Sequence, residues 1–217
     1  MQFKNIVAAA ALAASASALP AAQDNTVKIV DTAAGLVAET VNPNEAVEVP
    51  SDLKTFGLIA IRSGSPLQNQ GLTASKGSLW IGHKQDANCF EKTSDFATFL
   101  LNTTSQEMFL YNTTEISKQQ FYCDRSGMGQ GVLQYSNGES STTGARLETK
   151  GFAINDNSVL QFDGDDFVAC PYGDSETEYT VWIDVGLTNP GYNPRNCTGF
   201  IAKEIETTDP VGCYYTN

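Results

Sequence analysis

Val159-Leu-Gln-Phe-Asp-Gly-Asp-Asp-Phe-Val-Ala-Cys170 decides the fold class. The run Val159-Leu-Gln-Phe162 meets Asp163-Gly-Asp165, and a second run, Phe167-Val-Ala-Cys170, follows at once. Each run has the length of a strand and is too short for a helix. Glycine supplies positive φ between them, and aspartate tolerates it. The segment therefore reads as strand, turn, strand.

The same texture extends outward in both directions. Upstream lie Phe56-Gly-Leu-Ile-Ala-Ile61, Ser78-Leu-Trp-Ile81, Met108-Phe-Leu-Tyr111, Gln120-Phe-Tyr-Cys123 and Val132-Leu-Gln-Tyr135. Downstream lie Tyr179-Thr-Val-Trp-Ile183 and Gly199-Phe-Ile-Ala202. Asn137-Gly-Glu139 and Ser126-Gly-Met-Gly-Gln-Gly131 supply further turn chemistry between runs. Helical spacing is found only between Glu91 and Leu101. Many short strands with turns between them predict an all-β domain, a barrel or a sandwich. Phe56-Gly-Leu-Ile59, Phe99-Leu-Leu101 and Phe152-Ala-Ile154 each open a block of similar plan. That threefold hint favours a β-trefoil-like architecture, with a β-sandwich as the alternative. The expected domain covers residues 53–217, long enough to bury a core without help from its disulfides.

Residues 19–52 differ in kind. They hold no aromatic side chain, and their acids outnumber the lone Lys28. We expect a flexible acidic arm or propeptide, with a competing reading in which Val27-Lys-Ile-Val30 and Leu36-Val-Ala38 add a strand or short helix. Residues 1–18 read as a secretory signal: Lys4, an apolar run from Ile6 to Leu12, then the small-x-small triplet Ala16-Ser-Ala18. The run is too short to span a bilayer. The end of the sequence, Cys213-Tyr-Tyr-Thr-Asn217, lacks the apolar tail of a glycolipid anchor, so no membrane anchor is expected.

Secretion has two further consequences. Asn102, Asn112 and Asn196 each open an Asn-X-Thr triplet and are the candidate N-glycosylation sites. The five cysteines, Cys89, Cys123, Cys170, Cys197 and Cys213, are expected mostly to pair in an oxidising compartment. Cys170 has Cys197 or Cys213 as partners in the same third of the chain, which would leave Cys89 with Cys123. The odd count leaves one thiol free or intermolecular. A formal net charge of −12 argues against nucleic acid and against anionic lipid.

Little in the sequence points to catalysis. His83 is the only histidine, so a catalytic triad would have to use it, and a metal site built on several histidines is excluded. No Gly-x-Ser-x-Gly elbow occurs. Asp163, Asp165, Asp166, Asp174, Glu176, Glu178 and Asp184 could supply a glycosidase pair, but linear spacing selects none of them. Asn155-Asp-Asn157 and Asp163-Gly-Asp-Asp166 do not match an EF-hand loop and read as two turns. The glycine-rich stretch at Ser126 is followed by a strand, where a phosphate-binding motif needs a helix. We expect no catalytic residue, metal or cofactor. Trp80, Tyr172, Trp182, Tyr192, Tyr214 and Tyr215 are the aromatics able to stack on sugars. Tyr192, in Asn189-Pro-Gly-Tyr-Asn-Pro194, is the best candidate for glycan contact, because a Pro/Gly loop is exposed.

Several segments together resemble a known family. They are Phe56-Gly-Leu-Ile-Ala-Ile-Arg-Ser-Gly-Ser-Pro66, Leu72-Thr-Ala74 with Leu79-Trp-Ile-Gly82, Leu160-Gln-Phe-Asp-Gly-Asp-Asp-Phe-Val-Ala-Cys-Pro171, Tyr179-Thr-Val-Trp182, Cys197-Thr-Gly-Phe200 and Cys213-Tyr-Tyr215. The chain resembles the fungal PhiA-like secreted cell-wall proteins and, more distantly, the C-terminal domain of Pir-type wall mannoproteins. Two departures stand out. Ser65-Pro-Leu-Gln68 lacks the histidine usual at this point in PhiA-like chains, and the Gln-containing repeats of Pir proteins are missing. The resemblance implies an extracellular, wall-associated glycoprotein with a structural or surface role and no catalytic residues. Wall polysaccharide or mannoprotein is the implied partner; the oligomeric state is left open. Small size, cysteines and an export signal fit a secreted effector or elicitor as the alternative, and a carboxylate-dependent glycan hydrolase ranks last.

Overall fold

The computed structural model describes residues 27–32, 35–40, 52–90, 92–112, 119–136 and 144–216. Among them are sixteen strands: β1 (Val27–Thr32), β2 (Gly35–Thr40), β3 (Leu53–Ile61), β4 (Gln70–Ser75), β5 (Ser78–Ile81), β6 (Ala87–Cys89), β7 (Phe99–Asn102) and β8 (Glu107–Leu110); then β9 (Phe121–Asp124), β10 (Val132–Tyr135), β11 (Phe152–Ile154), β12 (Val159–Phe162), β13 (Phe167–Pro171), β14 (Tyr179–Ile183), β15 (Thr198–Glu206) and β16 (Cys213–Tyr215). One 3₁₀ turn, Pro190–Tyr192, is the sole helical element among the described residues. No described helix is long and apolar enough to cross a membrane.

Two compact units divide between residues 48 and 49. The first contains β1 and β2, an antiparallel hairpin with Val27 opposite Thr40 and Thr32 opposite Gly35. The two apolar patches of the acidic arm are thus paired strands. The signal at residues 1–18 lies outside the described residues, as does the Asn137 turn.

All other strands belong to the second unit, and every run quoted from this part of the sequence is found in one. Seven strands close into a barrel: β3, β4, β5, β10, β14, β13 and β15, with β15 returning to β3. Ile201 stands opposite Ile61 and Glu206 opposite Phe56 along that closing pair. β10 is wedged where β5 and β14 diverge, placing Val132 opposite Trp182 and Gln134 opposite Ser78. β7 and β8 extend the sheet from the first half of β3, while β12 and β11 extend it from the second half of β15. β12 and β13 do not pair with each other; they pair in succession with β15, β12 at Ala202 and Lys203 and β13 from Thr198 to Phe200. The Asp163-Gly164 turn that joins them has φ of +51° and +89°, which glycine adopts freely and aspartate tolerates.

The closed barrel is what this fold shares with the expected trefoil. The three Phe-led blocks enter it unequally. β3 is a barrel strand, whereas β7 and β11 lie off the ring. Their phenylalanines nevertheless meet inside: Phe56 lies 5.7 Å from Phe99, Phe99 5.9 Å from Phe121, and Phe121 6.4 Å from Phe152. A shared need to bury a ring gives the blocks their likeness, and the strand pairings carry no threefold relation. The stretch with helical spacing forms no helix among its described residues: residues 92–98 are bends and irregular chain, and Phe99 begins β7. Phe96 lies so close over Gly71 that a Cβ there would stand 2.1 Å from its ring.

Side chains alternate between the core and the outer face along the barrel strands. Leu79 and Ile81, Val181 and Ile183, Phe167 and Ala169 point into the core, together with Leu58, Leu72, Leu133 and Phe200. Trp80, Thr180, Trp182, Val168 and Cys170 therefore point outward.

Candidate functional site

Two rows of outward residues cross the barrel wall. Trp80 on β5 stands opposite Thr180 on β14, which stands opposite Cys170 on β13. In the next row Val132, Trp182 and Val168 stand opposite one another. Trp182 is two residues from Thr180 on the same strand and hence on the same face. The indole N–H groups are both satisfied: Trp80 Nε1 donates to the Ser75 carbonyl at 2.7 Å, and Trp182 Nε1 to Thr180 Oγ1 at 2.9 Å.

This outer face is covered rather than bare. Although it lies outside the barrel, Trp80 is only 3% exposed. His83 lies 4.4 Å from its ring, Tyr172 forms a T-shaped pair with it at 4.8 Å, and Lys76 Nζ stands 5.9 Å from its centroid. Over Trp182 passes the turn Pro190–Tyr192. A Cβ on Gly191 would come within 2.6 Å of the indole, and Gly191 has φ +68°, so only glycine fits there.

That turn is braced from several sides. Gly191 N donates to Gln130 Oε1 at 2.7 Å, and Asn193 Nδ2 donates to the Pro171 carbonyl at 2.8 Å. Arg195 Nη2 donates to the carbonyls of Gly173 and Ser175 at 2.5 and 2.7 Å. A disulfide joins Cys170 to Cys197. At its crest Tyr192 is 85% exposed. Its φ of +57° is rare for a non-glycine residue. The glycine-rich stretch at Ser126 serves this arrangement: it is a turn between β9 and β10 whose Gln130 holds the Tyr192 loop.

The acidic candidates are dispersed. Asp163 and Asp165 face Arg125, which also makes a two-pronged pair with Glu148 at 3.0 and 2.5 Å and stacks 4.9 Å over Phe162. Hydrogen bonding and charge from Arg125 hold the Glu148 carboxyl below its usual range. Glu178 pairs with His83 at 2.7 Å, and Asp174 and Glu176 are exposed in the same β13–β14 loop. Asp166 and Asp184 do share an open groove of about 410 Å³ with Arg62 and Ile201. Each carboxylate is spent on a local turn: Asp166 Oδ1 accepts from Gln161 Nε2 at 2.9 Å, and Asp184 Oδ1 from Gly186 N at 2.9 Å. Arg62 is held by the Gly199 carbonyl at 2.7 Å. No group of three or more metal-ligating side chains gathers among the described residues.

Cys89 pairs with Cys213 across β6 and β16, and not with Cys123. The reason is orientation. Cys123 points from β9 into the core, fully buried, while its backbone is bonded to Glu148. Burial, with Glu148 adding to it, pushes the Cys123 thiol up to about 12. It is a free thiol enclosed by the fold, so the intermolecular alternative does not apply to the folded chain.

Of the acceptor triplets, Asn102 caps the β7–β8 turn, its Oδ1 accepting from Thr104 N and Ser105 N at 3.0 and 2.9 Å. Thr103 and Thr104 are exposed, as is Asn196. Asn112 is half-buried at the edge of residues 113–118, which lie outside the described set. Among the aromatic candidates, Tyr172 and Tyr214 are about half exposed, and Tyr215 is buried. The bracing of the Tyr192 loop by Gln130 and Arg195 had no signal in the sequence, because both contacts span many residues.

Comparison with known proteins agrees with the geometry of a secreted, disulfide-bonded β-domain. The PhiA-like secreted protein family matches residues 56–216. Cell wall protein phiA of Emericella nidulans is 39% identical over 79% of this chain and 92% of its own length. The cell wall proteins phiA of Aspergillus niger and Aspergillus fumigatus are 36% and 34% identical, each over 100% of both chains. No solved structure matches the chain. On the strength of a match that runs from the first barrel strand to the last described residue, the chain belongs to the PhiA-like family and is a secreted protein of the cell wall.

Proposed function

We propose that this chain is a non-catalytic wall module that holds neutral wall polysaccharide on the Tyr192 loop. One observation carries the reading: a large aromatic ring is 85% exposed at the crest of a turn that a disulfide and several hydrogen bonds hold still. A fixed ring loses little entropy on binding and offers a flat face to the C–H groups of a sugar. A protein with net charge −12 is repelled by acidic polymers, so a neutral glycan is the matching ligand. Retention on insoluble β-glucan, chitin and mannan tests this. The native protein is expected to be retained by one of them, Tyr192→Ala to be largely lost, and Tyr192→Phe to be kept. Failure of the native protein on all three overturns the proposal.

Carbohydrate on the protein itself belongs to the same reading. Asn196 is exposed and Asn102 is followed by the exposed Thr103 and Thr104, and glycans there would keep a wall protein hydrated. Amidase treatment of the secreted protein should lower its mass and convert these asparagines to aspartate.

A further inference from the structure

The two tryptophans of the chain mark a feature that no single loop shows. Trp80 stands opposite Thr180, so Trp182 is its diagonal neighbour on the same face of an antiparallel pair. Each tryptophan supports one of the exposed tyrosines or the turn that bears it. Tyr172 forms a T-shaped pair with Trp80 at 4.8 Å, and Tyr192 follows the glycine pressed on Trp182. The loops that bear them are tied together where they meet: Asn193 Nδ2 bonds the carbonyl of Pro171, which precedes Tyr172, and Arg195 Nη2 bonds that of Gly173, which follows it. The Cys170–Cys197 disulfide closes the same junction.

We infer that Tyr172 is a second stacking position, and that Tyr172 and Tyr192 together bind one extended glycan chain across several sugar units. The inference rests on the proposed polysaccharide binding and adds its geometry. Tyr172 is 48% exposed, so part of its ring remains open although it also packs against Trp80. Since both loops are braced, the spacing of the two rings is preset, and a ligand long enough to reach both gains the second contact at little further entropic cost. A monosaccharide or disaccharide reaches one ring only.

The tryptophans make the test direct, because each reports on one position. Trp80→Phe leaves Trp182 as the sole tryptophan, beneath the Tyr192 turn; Trp182→Phe leaves Trp80, beside Tyr172. These variants are titrated with laminari-, chito- and manno-oligosaccharides of two to six units, following emission. The expected result is that a hexasaccharide of the bound series shifts both emissions with one midpoint, while a disaccharide shifts one alone. Tyr172→Ala should weaken hexasaccharide binding about tenfold, the worth of one aromatic contact, and leave disaccharide binding unchanged. Because Tyr172 also covers Trp80, Tyr172→Leu is measured beside it: leucine keeps the apolar cover but removes the flat ring, and the same loss is expected. If both variants bind the hexasaccharide like the native protein, the second position is overturned while the Tyr192 reading stands. If the native protein binds no oligosaccharide and no insoluble glycan, the reading beneath it fails as well.

Discussion

The inside and the outside of this barrel are both aromatic, and they use different rings. Inside, the chain from Phe56 through Phe99, Phe121 and Phe152 to Phe162 consists of phenylalanine alone. Outside, the layer over β5, β13 and β14 consists of Trp80, Trp182, Tyr172 and Tyr192. A phenylalanine brings no polar atom that needs a partner in a dry core. An indole N–H or a phenol must find one, and on the outer face Ser75 and Thr180 provide it. Two tyrosines do enter the interior, and both obey the same rule. Tyr135 donates to the Thr216 carbonyl, and the Tyr215 hydroxyl accepts from Thr98 N at 3.2 Å. Burial pushes the Tyr215 phenol up to about 12. The interior ring stack holds the fold, and the exterior layer is the one we propose meets a ligand.

The largest effect should come from the interior. Phe121 touches three other rings, so Phe121→Ala is expected to cost about 3–5 kcal/mol, measured as a fall in the urea midpoint. The same enclosure shields Cys123: a thiol reagent should label the native protein negligibly and one cysteine per chain after unfolding. Rapid labelling of the folded protein would contradict a closed core.

Next in size is the bridge of the exterior layer. Replacing Cys170 and Cys197 together by alanine removes a link of sequence separation 27, and about 2–4 kcal/mol of stability should go with it. Unlike the phenylalanine variant, it should also weaken glycan retention, because the Tyr192 loop loses a brace. An equal loss of retention in a Cys89→Ala/Cys213→Ala protein would show that stability alone, and not loop geometry, governs binding.

A smaller effect follows from the Arg125 cluster at the barrel edge. Glu148 is held low chiefly by its hydrogen bonds to Arg125. A depressed carboxylate stabilises the folded state above its unfolded value, about 4.3, and that share is lost as pH falls through the lower folded value. The pair is over a third exposed on the glutamate side, so the share should be under about 1 kcal/mol. Urea midpoints should therefore drop between pH 5 and pH 3, and Glu148→Gln should make that drop shallower; an unchanged slope would remove Glu148 from the account (pH range after the usual carboxylate values).

How far the residues alone reveal this arrangement varies by region. Run length and flanking turn residues identified β5, β10, β12 and β14, because each is a short stretch of large apolar side chains bounded by Gly, Asn, Asp or Ser. β4 was hidden: Gly71, Thr73, Ala74 and Ser75 are small or polar, yet all are buried, since neighbouring elements cover both of their faces. Closure through β15 and β3 was equally hidden, because pairing between strands far apart in sequence leaves no local pattern. The exposure of Tyr192 was legible from its Pro/Gly loop. That Trp80 and Trp182 are neighbours was not, because it depends on the register of β5 against β14, which only the folded sheet supplies.

The smallest expected change in stability is at Tyr192, and it bears most on the comparison. Tyr192 holds φ +57° at a crest where its ring is 85% exposed, so the fold accepts a backbone cost without burying the side chain in return. Such strain runs to about 1–2 kcal/mol for a residue with a Cβ. Tyr192→Gly removes it but loosens the unfolded chain by about 0.5–1 kcal/mol, so the net change should be under about 1 kcal/mol in the stabilising direction. Polysaccharide retention should nevertheless disappear. A variant that is no less stable and no longer binds would show that the ring is kept for contact. One that loses several kcal/mol would place Tyr192 with the phenylalanines, as a residue that holds the structure together.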